Sequence, residues 1–170
     1  MLSHRFVAIG DIHLTSGPRN QDRLDALDAF IAQNLAKPVS AWLLLGDLTH
    51  SGMTIAIRNQ LVERVLRMGA VAPVVALYGN HDPDGDLDFL AKLKTPWPIT
   101  VVSSPQVIEI ELADRYEATD HKWGAKALAA IAGLPYPSKD AIVAPGTPHD
   151  QITQVASDAF DLICMDLGAK

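Results

Sequence analysis

Three short apolar runs punctuate the first half of the chain: Phe6-Val7-Ala8-Ile9, Trp42-Leu43-Leu44-Leu45 and Val74-Val75-Ala76-Leu77. Continuous apolar runs of this length read as strands of a parallel sheet buried on both faces. Between them the period changes. From Gln21 to Ala36, residues Leu24, Leu27, Phe30, Ile31 and Leu35 fall at helical spacing, with Asn20 placed as a cap and Pro38 barring continuation. Thr54 is placed to cap a second helix that turns Ile57, Leu61, Val65 and Leu66 inward and stops at Gly69. Strands are therefore expected over 5–9, over 41–45, and from Pro73 to Leu77 or Tyr78. Strand, helix, strand, helix, strand is the beginning of a doubly wound α/β fold with right-handed crossovers.

Beyond the third run the grammar changes. Asp86 is placed to cap a short helix through Leu93, ended by Pro96 and Pro98. Ile99 to Val102 and Gln106 to Leu112 read as two strands joined by Ser103-Ser104-Pro105, and the short connection predicts antiparallel pairing. Residues 113–126 are polar and name no element. Ala127 to Ala132 is apolar and leads into Gly133-Leu134-Pro135-Tyr136-Pro137, a rigid loop. Thr147, with Pro148 next and Asp150 three positions on, is placed to start a last helix. Its expected buried stripe is Ile152, Val155, Ala156, Ala159, Phe160 and Ile163, with Cys164 as a small buried hydrophobe. No internal repeat or linker divides the 170 residues, so one domain over 1–170 is expected.

Each apolar run is followed by a turn that carries Gly and metal-seeking side chains: Gly10-Asp11-Ile12-His13, Gly46-Asp47-Leu48-Thr49-His50 and Gly79-Asn80-His81-Asp82. Ligands of open α/β sheets gather beyond the carboxyl ends of the strands. Asp and Asn are common in ordinary turns, but three recurrences at three strand ends point to one shared pocket. The donors are oxygens and nitrogens, which suit Mn²⁺, Fe²⁺, Zn²⁺ or Mg²⁺, and two divalent ions, Mn²⁺ foremost, are the expected cofactors. Asp11 and His13 would point the same way in an extended segment and grip one ion. Asp47 has two oxygens with which to bridge two ions, and Asn80 offers a carbonyl oxygen to the second. Such a pair clamps a phosphate and brings the pKa of water toward ~7. His81 is then the residue to face the substrate, as a charge stabiliser or proton donor, with Asp82 holding its imidazole. His50 shares the Asp47 loop and is a candidate substrate contact, as is Arg19, with Arg23, near the first loop.

Composition narrows the picture. A net charge of −6 from 14 basic and 20 acidic residues argues against a protein that coats nucleic acid, though not against a nuclease whose metals supply local positive charge. A single cysteine excludes a disulfide framework or thiolate cage. No signal-peptide layout and no membrane-length apolar run is present, so a cytoplasmic setting without membrane is expected.

Gly-Asp-x-His (10–13), Gly-Asp-Leu (46–48) and Gly-Asn-His-Asp (79–82), in that order, resemble the calcineurin-like metallophosphoesterase family. The resemblance implies a layered α/β fold and a dinuclear site with Asp11, His13, Asp47 and Asn80 as ligands and His81 as catalytic imidazole. Within the family the chain is most similar to SbcD-type DNA exonuclease subunits, through Asp11-Ile12-His13-Leu14, the strand pair 99–112 and Ile131-Ala132-Gly133-Leu134-Pro135-Tyr136-Pro137. That finer likeness implies DNA as substrate, an SbcC-type ATPase partner and homodimerisation. The family completes its site with a later His and a His-x-His, whereas here only His121 and His149 follow Asn80–His81. The expectation is therefore the front portion of a larger fold, with the second ion under-coordinated. A phosphodiesterase or phosphatase acting on a small phosphate ester, and a catalytically silent fragment that binds a partner, are the alternatives.

Overall fold

The computed structural model describes residues 4–113, 127–136, 146–148 and 150–168. Strands β1 (Phe6–Ile9), β2 (Ala41–Leu44), β3 (Val74–Leu77) and β4 (Ile99–Val102) form one parallel sheet in the order β1-β2-β3-β4. Helices α1 (Asn20–Leu35) and α2 (Ile55–Gly69) are the first two crossovers, and a 3-10 helix (Asp88–Lys92) lies in the third. The strand period of two sorts the side chains to opposite faces. Val7, Trp42, Leu44, Val74, Ala76 and Ile99 join Leu24, Leu27, Ile31, Ile57, Leu61 and Val65 of the helices in the larger core. Ala41, Val75 and Val102 face the other way, onto Ile110 and Leu112.

That second face carries the main correction. β4 does not pair with β5 (Gln106–Leu112); it joins the sheet parallel to β3, and β5 pairs antiparallel with β6 (Ala127–Gly133). The turn at 103–105 therefore carries the chain from one layer to another instead of closing a hairpin. The two-stranded β5–β6 ribbon covers β2 to β4 and leaves β1 partly bare, with Phe6 42% exposed.

Local chemistry explains the element ends. Thr54 caps α2 by accepting the Ile57 N–H at 3.3 Å. On α2 the inward positions are Ile57, Leu61, Val65 and Met68, while Leu66 is exposed. Asn20 is not a cap: it lies within α1, accepts the Thr15 N–H at 3.0 Å and donates to Gln60 at 3.0 Å, so it braces the first loop against α2. Asp86 likewise makes no cap for the 3-10 helix, whose preceding residue is Leu87. The faces of α1 and α2 that meet are tied by Asp28, which accepts from both Arg64 and Arg67.

Helix α3 (Ile152–Gly168) starts later than Thr147-Pro148 suggested. The expected stripe is half-buried at Ile152, Val155, Ala156, Ala159 and Ile163, while Phe160 is exposed. Leu167 is its buried residue, and Cys164 is exposed. His121, His149, Pro137 and the polar stretch from 114 lie outside the described residues. Among the described residues no helix is long and apolar enough to cross a membrane.

Candidate metal centre

β1, β2 and β3 end side by side, and the loops that follow extend their parallel pairing beyond the sheet. The Asp11 N–H donates to Gly46 O at 3.2 Å, His13 N–H to Asp47 O at 2.8 Å and Leu14 N–H to Leu48 O at 2.9 Å. The third loop packs against the second, backbone to backbone. Gly46 has φ +90°, and a Cβ there would stand 2.8 Å from Gly79 Cα; a Cβ on Gly79 would collide with Asp47 N and Oδ1. Only paired glycines allow this approach. Asp47 is thereby delivered against the third loop, where its Oδ1 accepts the His81 N–H at 2.8 Å.

Asp82 completes the clamp in a way the sequence did not suggest. Its carboxylate is buried and accepts Leu48 N–H (3.2 Å), Thr49 N–H (2.8 Å), Thr49 Oγ1–H (3.1 Å) and Gly79 N–H (3.0 Å). It joins the second loop to the third and does not hold the His81 ring. That ring is held by the backbone of His50, whose carbonyl lies 3.0 Å from His81 Nδ1. A carbonyl only accepts, so Nδ1 carries the proton and Nε2 is left with the lone pair.

Asp11, His13 and Asp47 are the only non-glycine residues at positive φ among the described residues, at 54°, 50° and 52°. The expected extended Asp11-Ile12-His13 segment is therefore replaced by a pair of left-handed residues around buried Ile12. The result is similar: Asp11 Oδ1 and His13 Nε2 lie 3.7 Å apart. Left-handed conformations cost about 1 kcal/mol or more per non-glycine residue and cluster at functional sites.

One ligand atom each from Asp11, His13 and Asp47 falls within 4.8 Å of the others, and so does one each from His13, His50 and His81. The Asn80 amide faces Asp47 Oδ2 at 2.9 Å and Oδ1 at 3.2 Å. Turned one way its NH₂ donates to the carboxylate; turned the other, three oxygens converge as ligands of a shared cation would. His13 Nδ1 is buried without a hydrogen-bond partner, and among the described residues no Lys or Arg side chain pairs with Asp11 or Asp47. This donor set fits hard divalent cations.

The arginines divide. Arg19 is exposed at the start of α1 and is not among the side chains the loops draw together. Arg23 turns back and donates to His13 O at 2.7 Å, bracing the first loop. Two further supports had no signal in the sequence: the His50 carbonyl, because a backbone atom has no side-chain signature, and Tyr78. The Tyr78 hydroxyl donates to Asp88 Oδ1 (2.8 Å) and accepts from Leu87 N–H (2.9 Å), which anchors the far side of the third loop. Burial first, and the Asp88 hydrogen bond second, push its pKa up to about 12.

A parallel sheet whose strand-end loops crowd carboxylate, imidazole and carboxamide donors into one place has the makings of a metal centre at the carboxyl edge of an α/β fold. The family model for calcineurin-like phosphoesterases matches residues 4–135, and the chain belongs to that family of dinuclear metal-dependent enzymes. Among solved structures it is similar to the crystal structure of Pseudomonas putida nuclease MPE, with 22% identity and a TM-score of 0.46. That match covers 62% of this chain and 50% of the nuclease chain, so the chain spans about half of that structure's length.

Proposed function

We propose that the chain is a phosphodiester hydrolase, in which Asp11, His13, Asp47 and Asn80 hold two divalent ions, Mn²⁺ first, and His81 serves the leaving group. The observation that carries this reading is Asp47, which reaches Asp11 and His13 on one side and Asn80 and the His81 backbone on the other. A bound ion pair would polarise the phosphoryl oxygens and make a hydroxide nucleophile available near neutral pH. The chain's own residues do the rest. The carboxylate and carboxamide oxygens would fix the ions, and through them where the phosphate can sit. His81, with Nδ1–H on the His50 carbonyl, keeps Nε2 aimed away from that bond; when protonated there, it donates to the departing alkoxide. The Asp82 clamp holds the second and third loops in register during this transfer.

DNA as substrate, an SbcC-type ATPase as partner and homodimerisation come with the sequence resemblance, including Gly133-Leu134-Pro135-Tyr136. Tyr136 itself lies near the third loop, its N–H donating to Tyr78 O at 3.0 Å. The test is hydrolysis with Mn²⁺ of linear duplex DNA beside bis(p-nitrophenyl) phosphate. Degradation of both is expected. Cleavage of the small diester with intact DNA would move the substrate to small phosphate esters, and Mn²⁺ titration without binding would make the chain a silent fragment. His81→Ala should bind Mn²⁺ as before and turn over about 10²–10⁴-fold more slowly; loss of bound metal would make His81 a ligand.

A further inference from the structure

The three imidazoles at the sheet edge form a second donor set that overlaps the first. Ring centroids of His13 and His50 lie 5.4 Å apart, those of His13 and His81 4.9 Å, and those of His50 and His81 5.0 Å. One ligand nitrogen from each falls within 4.8 Å of the other two. The His50 and His81 rings are stacked with planes 18° apart, and His13 meets both edge to face. His81 Nε2 has its lone pair free because Nδ1 donates to the His50 carbonyl. His13 Nδ1 is buried and unpartnered, and His50 is exposed, so its side chain can turn.

We propose that His13, His50 and His81 form a three-imidazole site for one borderline cation, Zn²⁺ in the first instance, competing with the carboxylate set for His13. Three imidazoles with a fourth position left open satisfy tetrahedral Zn²⁺. Mn²⁺ and Mg²⁺ favour oxygen donors and stay with Asp11, Asp47 and Asn80. Two nitrogens on one tetrahedral Zn²⁺ with bonds of ~2.05 Å stand about 3.3 Å apart, so rotation of the exposed His50 and small shifts of the other two close the set. An ion held there takes the Nε2 lone pair of His81 and draws His13 from Asp11. Excess Zn²⁺ is thus inhibitory, a consequence that rests on the reading of His81 as proton donor, whereas the binding itself does not.

Long-range proton–nitrogen NMR of the full chain reads each imidazole separately and needs no turnover. One equivalent of Zn²⁺ should shift the ring nitrogens of His13, His50 and His81 together, while Mg²⁺ leaves His50 and His81 unmoved. His50→Ala, and His50→Gln as a milder change, should weaken Zn²⁺ binding about tenfold or more, with the backbone fingerprint unchanged. Asp11→Asn should keep the three-imidazole response. Zn²⁺ shifting His13 alone, or binding His50→Ala and His50→Gln as tightly as the wild type, would overturn the site. A chain that binds Zn²⁺ this way but cleaves no phosphodiester would instead remove the function proposed above and leave this site standing.

Discussion

The interface of α1 with α2 and the edge of the sheet treat aspartate in opposite ways. Between the helices, Asp28 is matched by two guanidinium groups, Arg64 and Arg67. At the sheet edge, Asp11 and Asp47 lie close to each other and to the His13 imidazole, and among the described residues no Lys or Arg side chain answers them. The sheet edge also contains Asp82, whose carboxylate is offset by N–H groups and a hydroxyl. Buried or crowded carboxylates need compensation. Where the protein supplies it, the aspartate is part of the frame. Where it supplies no cation, leaves Asp11 open to solvent and spends backbone strain to bring two together, the pair is free to take its positive charge from outside.

The sharpest way to break that contrast is Asp47→Ala. It should lower Mn²⁺-dependent hydrolysis by about 10³-fold, roughly 4 kcal/mol in the transition state, while circular dichroism stays that of the wild type. Retention of full hydrolysis at limiting Mn²⁺ would show that Asp47 is compensated like Asp28 and bridges nothing. Asp82→Ala should do the reverse in kind. Removing an acceptor that serves four donors should cost about 3 kcal/mol of stability in urea unfolding, and the loss should be the same with and without Mn²⁺. If Mn²⁺ restored the stability of that variant, Asp82 would belong with the ligands.

How much of this contrast the sequence carried depends on which atoms make it. The β1 to β3 strands and the gathering of Asp11, His13, Asp47, Asn80 and His81 at one sheet edge were legible because apolar runs and Gly-Asp or Gly-Asn turns are local patterns. The pairing of β4 was not: Ile99–Val102 fits either partner, and the choice is made by β3 offering a free parallel edge and by Ala127–Gly133 returning to meet β5. The role of Asp82 was misread, and the His50 carbonyl was missed, for a different reason. An Asp beside a catalytic His looks like its orienter, but positive-φ loops and the Gly46–Gly79 contact turn the Asp82 carboxylate inward onto N–H groups, and leave a backbone carbonyl to hold the ring. The last helix was legible as a helix, while its exposed Cys164, Leu162 and Met165 depend on what packs against it.

Cation addition tests the same contrast by linkage. Mn²⁺ at about 100 times its Kd should stabilise the wild type by about 2.7 kcal/mol in thermal or urea unfolding, because only the folded chain brings Asp11, His13 and Asp47 together. Asp47→Ala should lose that increment, while Arg64→Ala should be less stable throughout yet keep it. An equal increment in wild type and Asp47→Ala would place the bound cation elsewhere.

The smallest effect concerns a fifth aspartate, Asp88, compensated by neither a cation nor a cluster of N–H groups but by the Tyr78 phenol. The phenol's pKa is raised from 10.0 to about 12 by burial and by this hydrogen bond, so the folded chain holds its proton more tightly than the unfolded chain does. Linkage then fixes the sign. The stability contributed by protonated Tyr78 is fully present below the unfolded value near 10 and is lost as pH rises through about 12. Unfolding free energy should fall across that interval, with one late phenolate absorbance step. Tyr78→Phe should lose about 1 kcal/mol at neutral pH and show a flatter fall above pH 10. Since Tyr78 anchors the third loop without touching the carboxylate set, the variant should bind Mn²⁺ as the wild type does. A matching drop in Mn²⁺ affinity would mean that the frame and the cation site are one cooperative unit rather than two ways of handling an acid.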